Sequence, residues 1–331
     1  MARIVLGLGT SHTPLLAIEP RKWNEYIVRD YTSRRLNLSD GRWLSYEELN
    51  QMRNGCYADV TDVGTFIKKS DICQRALDRL GSEIAAADPD VVVIVTDDET
   101  ELFDRMNTPA VSIYYGETII TRPRKPTADP APSFLPDLLR TYALDKPHNF
   151  PAMPRFAREL IEGFIDHDID IGAAAQVEKP LDSGFGHGIG FVETRIFGAK
   201  KIPVIPLLIN TYYPPNAPRP SRCHDIGRVL RRCIESSKED LRVAVMASGG
   251  LSHFVVDEDL DRCVIEGFEA GRSALLRTLP VAALNSGSSE IRNWIAVAGA
   301  IEGMERRWLE YQPLYRTPAG TGIGVAFGVW A

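Results

Sequence analysis

Residues 91–95 read Val-Val-Val-Ile-Val, directly after Asp88-Pro89-Asp90 and just before Asp97-Asp98-Glu99. A β-branched run without polar alternation has both faces buried, as in the central strand of a parallel sheet covered by helices on two sides. That run fixes the class to which the rest of the chain must conform. Further strand candidates follow at 3–8 (RIVLGL), 202–210 (IPVIPLLIN), 241–247 (LRVAVMA) and 322–330 (GIGVAFGVW). Helical character lies between them, at 46–53, 65–86, 153–166, 225–237 and about 290–308. In 153–166 the apolar positions 156, 160, 161 and 164 form one stripe. Strands alternating with helices imply an α/β fold, a central mixed sheet flanked by helices on both faces. No internal repeat, low-complexity tract or convincing linker divides the 331 residues.

Bulk properties narrow the function classes. A formal net charge of -6 argues against non-specific nucleic-acid binding, which uses a basic face. No apolar run approaches the roughly 20 residues needed to span a bilayer. The apolar N-terminus is short and interrupted by Gly-Thr-Ser-His, so it reads as a first strand rather than a signal peptide. The five cysteines are scattered, odd in number and free of any CxxC pair, which suits a reducing compartment; the cytoplasm is the expected location.

Ligands of open α/β sheets sit beyond the carboxyl ends of the strands. His12, Asp97-Asp98-Glu99 and His253 each follow a strand candidate, and His187 lies in the alternating Gly184-Phe185-Gly186-His187-Gly188-Ile189-Gly190. Their shared placement is the signal, because each residue alone has a bland explanation. His12 reads equally well as a polar loop histidine, the acidic triplet as a solvated turn or a cap by Asp98, and His187 as part of a surface loop. Consecutive carboxylates repel one another, however, and a bound cation relieves that repulsion. Glu290 opens an apolar helix, where an acid also suits the helix dipole. His148, His167 and His224 lie in polar surroundings and are expected at the surface. No nucleotide-cradling glycine motif and no GxSxG elbow occurs.

Taken together, the stretches GLGTSHTPLL, PDVVVIVTDDETELFD, GFGHGIGF, IPVIPLLINTYYPPNAPRP, EDLRVAVMASGGLSHF, SGSSEIRNW and YRTPAGTGIGVAFG resemble the class III extradiol ring-cleavage dioxygenases over most of the chain. The resemblance implies a single catalytic domain spanning 1–331, with a helical insertion at about 19–80. It implies Fe(II) held by two histidines and a glutamate, and places His12 and Glu290 on two of those ligands. His187 and His253 fall on the family's two catalytic histidines. Where the family writes Asn-Asp-His, this chain has Asp97-Asp98-Glu99, and anchoring on Phe103-Asp104 puts Glu99 at the second histidine ligand. One histidine with two carboxylates makes a harder, more anionic site, which opens Mn(II) or Zn(II) beside Fe(II).

The implied activity is metal-dependent extradiol cleavage of a small catechol-type ring by O2. His253 would serve as general base, and His187 would orient or protonate the oxygen-derived group. Arg122, Arg124 or Lys125 of the Pro-rich loop 122–136 could meet a substrate carboxylate. The alternative keeps the site but drops oxygen, as a metal-dependent hydrolase or C–C lyase of a phenolic substrate. A homo-oligomer, in its simplest form a dimer, is expected, with neither nucleic acid nor membrane as partner.

Overall fold

The computed structural model describes residues 1–104, 106–125, 130–177 and 184–331. One nine-stranded sheet dominates the described residues: β1 (Arg3–Thr10), β2 (Val91–Asp97), β3 (Val111–Tyr114), β4 (Gly172–Ala174), β5 (Val204–Ile209), β6 (Arg242–Ser248), β7 (His253–Val255), β8 (Arg306–Tyr315) and β9 (Thr321–Trp330). The order across the sheet is β7-β9-β1-β6-β2-β5-β3-β4, with β8 also paired to β9. Neighbours among β1, β6, β2 and β5 are parallel, so these four end at the same edge. β9 runs antiparallel to β1, and β3 antiparallel to β5, which makes the sheet mixed.

The unbroken apolar runs have the expected cause. Along β2, Val91, Val93 and Val95 enter one core while Val92 and Ile94 enter the other. β6 divides likewise, with Val243, Val245 and Ala247 opposite Ala244 and Met246. A period of two with both faces covered therefore needs apolar residues at every position.

The helices are α1 (Trp23–Ile27), α2 (Tyr46–Arg53), α3 (Val63–Ala87), α4 (Leu135–Thr141), α5 (Pro154–Asp166), α6 (His187–Phe191), α7 (Pro220–Ser236), α8 (Glu258–Glu266) and α9 (Ile291–Ala300). α5, α7 and α9 supply one core; α1, α3 and α6 supply the other. α3 starts on an Asp62 cap that accepts the Thr65 N–H at 3.0 Å and stops at Asp88, a left-handed residue before Pro89. No described helix is long and apolar enough to cross a membrane.

One expectation changes. The last helix ends at Ala300 rather than 308, and residues 306–315 form β8, the outer partner of β9. Glu310 and Gln312 alternate with Leu309, Tyr311 and Pro313 on a strand only partly covered, a half-exposed pattern easily taken for a helix end. The 19–80 segment holds a two-stranded pair, 36–37 with 43–44, as well as helices. Of the Pro-rich stretch 122–136, residues 126–129 lie outside the described residues, and Leu135-Pro136 already begin α4.

Candidate metal centre

His12 leaves β1 at the shared carboxyl edge and is buried. Its Nδ1 lies 2.9 Å from Ser248 Oγ, and that hydroxyl donates to the Gly188 carbonyl at 2.7 Å. The hydroxyl has one proton, so Nδ1 must be the donor to Ser248 and Nε2 keeps its lone pair. Nε2 is buried without a protein hydrogen-bond partner and lies 3.6 Å from Glu290 Oε2. Burial, followed by the neighbouring His187 and His253, holds the His12 pKa well below the ordinary histidine value.

Glu290 sits where the turn Ser286–Glu290 passes into α9. Its Oε2 accepts the Gly250 N–H at 2.7 Å and its Oε1 accepts the Tyr212 hydroxyl at 2.9 Å. Burial and the Glu99 carboxylate push its pKa up to about 7. His253 donates from Nδ1 to the Leu251 carbonyl at 2.9 Å, which leaves its Nε2 unprotonated 3.6 Å from Glu290 Oε1. Burial lowers the His253 pKa to about 4.

Asp97, the last residue of β2, completes a cluster that the sequence reading passed over. Ligand atoms of His12, Asp97 and Glu290 all lie within 4.8 Å of one another. Asp97 Oδ1 accepts Asn293 Nδ2 at 3.2 Å, while burial and Glu290 raise its pKa well above the usual range. An unprotonated imidazole nitrogen beside the buried Glu290 and the half-buried Asp97 carboxylates is a set of acceptors lacking a donor. A divalent cation answers that deficit, so the residues fit the metal that the sequence implied.

Glu99, Glu101 and His187 form a second cluster within 4.8 Å. Glu101 Oε1 pairs with Arg124 at 2.7 Å and its Oε2 accepts the Glu99 N–H at 2.7 Å. His187 Nδ1 is 3.8 Å from Glu101 Oε1, and its ring stands edge-on to His12 at 4.5 Å. Burial opposes protonation of His187, but Glu101 and Glu99 outweigh it and raise the pKa to about 9. Asp98 is occupied elsewhere, accepting the Leu102 and Phe103 N–H groups at 2.8 and 3.1 Å. Its capping role is therefore local, in a loop without a following helix.

The glycine spacing around His187 also finds its reason in close approach. A Cβ on Gly188 would meet Thr96 Oγ1 at 2.3 Å, and one on Gly190 would meet the Tyr142 carbonyl at 2.0 Å. Side chains there would push α6 away from β2 and lift His187 off His12.

His12, Glu99, His187, His253 and Glu290 line one cavity of about 840 Å³, together with Tyr212. The structure thus brings these five sequence candidates to one cavity. The sequence reading missed Tyr212, Ser248 and Asn293, whose hydrogen-bonding roles leave no spacing to read. Arg124 and Lys125 also line the cavity, although Arg124 is held by Glu101. His224 is not at the surface as expected: it is buried on α7, facing Arg277 with Nδ1 at 3.2 Å, away from the site. Its neighbour Asp225 pairs with the same Arg277 at 2.6 Å.

A family model described as the catalytic LigB subunit of aromatic ring-opening dioxygenase matches residues 43–326. The chain belongs to this family. The matched range includes Glu99, His187, His253 and Glu290, while the β1 strand and His12 precede it. Among curated proteins, a gallate dioxygenase of Pseudomonas putida is 38% identical over 81 residues, 24% of this chain and 23% of its own length. A 2,3-dihydroxyphenylpropionate/2,3-dihydroxicinnamic acid 1,2-dioxygenase of Xanthobacter autotrophicus is 35% identical over 98 residues, 29% of this chain and 28% of its own. The chain thus aligns with under a third of either relative's length.

Proposed function

We propose that the protein is an extradiol ring-cleavage dioxygenase that opens a small catechol-type ring with O2. The observation that carries the reading is the pairing of two donor-seeking ligands, His12 Nε2 and Glu290, with two histidines held in opposite protonation states. Names of the two relatives, each acting on a dihydroxylated or trihydroxylated aromatic acid, support the same class of head group.

His12, Glu290 and Glu99 would hold the metal, Glu99 on the strength of the family resemblance; Asp97, which clusters with His12 and Glu290 while Glu99 clusters with Glu101 and His187, is the alternative third ligand. Fe(II) is the expected ion, and Mn(II) or Zn(II) are admitted by the carboxylate-rich donor set. When bound, the metal supplies open coordination positions at which both substrate oxygens and O2 can meet. The protein's own groups then divide the proton work. His253, neutral and with Nε2 free, accepts the proton of a substrate hydroxyl. His187, protonated against Glu101, donates a hydrogen bond or proton to an oxygen produced in cleavage. Tyr212 and the Gly250 N–H fix the Glu290 carboxylate from two sides.

One catalytic domain is the proposed organisation, with 19–80 as an insertion whose Tyr26, Val28 and Arg29 reach the cavity wall. Free cysteines throughout the described residues suit the cytoplasm. A homo-oligomer, a dimer at its simplest, completes the proposal.

The test is metal content after purification without added metal, followed by oxygen-electrode assays with protocatechuate and gallate. Iron together with oxygen uptake supports ring cleavage. Zinc or manganese with turnover under nitrogen would replace it by the hydrolase or lyase reading.

A further inference from the structure

The cavity over the candidate metal centre is much larger than a single ring requires. As a cleft open on one side it offers about 840 Å³, whereas a closed void of about 150 Å³ suffices for benzene. Its floor is polar and buried, and its outer wall is not. Phe134 and, from α4, Leu135, Leu138 and Leu139 line it together with Tyr26 and Val28. This wall is fixed rather than loose: the Ser133 N–H and hydroxyl donate to Glu25 at 2.7 and 2.6 Å, and Tyr26 packs edge-on to Phe134 at 5.7 Å.

The cationic side chains on the lining are largely committed. Arg124 pairs with Glu101 at 2.7 Å, and buried Arg316 pairs with Asp30 at 2.7 Å. The Arg29 guanidinium lies over the Tyr26 ring at 4.2 Å, and Lys125 stands at the exposed mouth. A carboxylate brought against the α4 leucines would lose hydration without gaining a buried cation, while an apolar group there is removed from water.

We propose that the physiological substrate is a catechol bearing a neutral apolar substituent of at least a second ring's size, seated against Leu138 and Leu139. The catechol head rests on the ring-cleavage reading; the substituent rests on the cavity alone.

Anaerobic calorimetry of the metal-loaded protein with catechol, protocatechuate, 3-phenylcatechol and 4-phenylcatechol tests the inference. At least one phenylcatechol should bind about tenfold or more tighter than catechol, and protocatechuate should bind no tighter than catechol. Leu138→Trp and Leu139→Trp, which fill the outer chamber, should reduce that preference to below about threefold. Equal affinity for catechol and both phenylcatechols, tightest binding by protocatechuate, or a preference undiminished in both variants would overturn it. Oxygen uptake on the same compounds separates the two claims. Tight phenylcatechol binding without oxygen uptake refutes ring cleavage and leaves the substituent preference standing. Uptake with catechol but no phenyl preference does the reverse.

Discussion

At the scale of single residues, the site depends on where protons are withheld. Ser248 is the hinge of that arrangement, because its one hydroxyl proton goes to Gly188 and obliges His12 Nδ1 to donate. Ser248→Ala removes the constraint on the His12 tautomer, and metal affinity should fall about 10–100-fold in a chelator-competition titration. Unchanged affinity would mean that His12 is oriented by something else. Glu99→His restores the residue that the family places there, and iron retention and oxygen uptake should both rise. If metal affinity does not respond, Glu99 leaves the ligand set and Asp97 takes its place. The two catalytic histidines set the pH profile. Activity should rise on the acid side as His253, lowered to about 4, loses its proton, and fall on the alkaline side as His187, raised to about 9, loses its own. A bound cation repels both protons and moves both limbs to lower pH. In His187→Asn the alkaline limb of kcat/KM should disappear; its survival would assign that limb to another group.

Elements were legible in proportion to how completely they are buried. The β2 and β6 runs announced themselves because both faces meet a core. β8 did not, since one face is open and its alternation competes with the helical pattern just before it. His12, Glu99 and His253 stood out by their position after strands, His187 by its glycine loop and Glu290 through the family resemblance, whereas Asp97 was masked by its acidic neighbours and Tyr212 by the lack of any motif. Burial of a carboxyl without a partner is equally invisible in sequence, and Glu193 is the example. It lies in the wide turn Val192–Phe197 that extends α6, buried, with Oε1 unpaired. Desolvation pushes its pKa up to about 8. In the unfolded chain the group ionises at a lower pH, so between about 4.5 and 8 the folded state holds the extra proton and stability declines as pH rises. Glu193→Gln should therefore stabilise the protein by roughly 4 kcal/mol at pH 8.5, with the gain falling below about 1 kcal/mol near pH 5, in denaturant titrations. A gain independent of pH would place the effect in packing instead.

For the whole molecule, the sheet edge collects buried negative charge that the fold alone does not neutralise. Asp97, Glu99 and Glu290 converge in a protein whose formal net charge is already -6; His187 supplies one positive charge among them, and Arg124 is paired with Glu101. A divalent ion bound only in the folded state adds RT ln(1 + [L]/Kd), about 2.7 kcal/mol at a hundredfold excess over Kd. Chelation should thus lower the melting temperature at pH 7.5 by roughly 5–10 °C, given about 2–4 °C per kcal/mol for a chain of this order. The pH response should separate the two forms. Without metal, Glu290 titrates near 7 in the folded state against about 4.5 when unfolded, so lowering the pH from 7.5 to 6 adds a proton to the fold and raises its stability. With metal bound, that carboxylate stays ionised and the same step brings no such gain. Scanning calorimetry of chelated and reloaded protein at the two pH values reads both effects. Equal melting temperatures with and without metal at pH 7.5 would show that the cluster at the ends of β1 and β2 holds no cation.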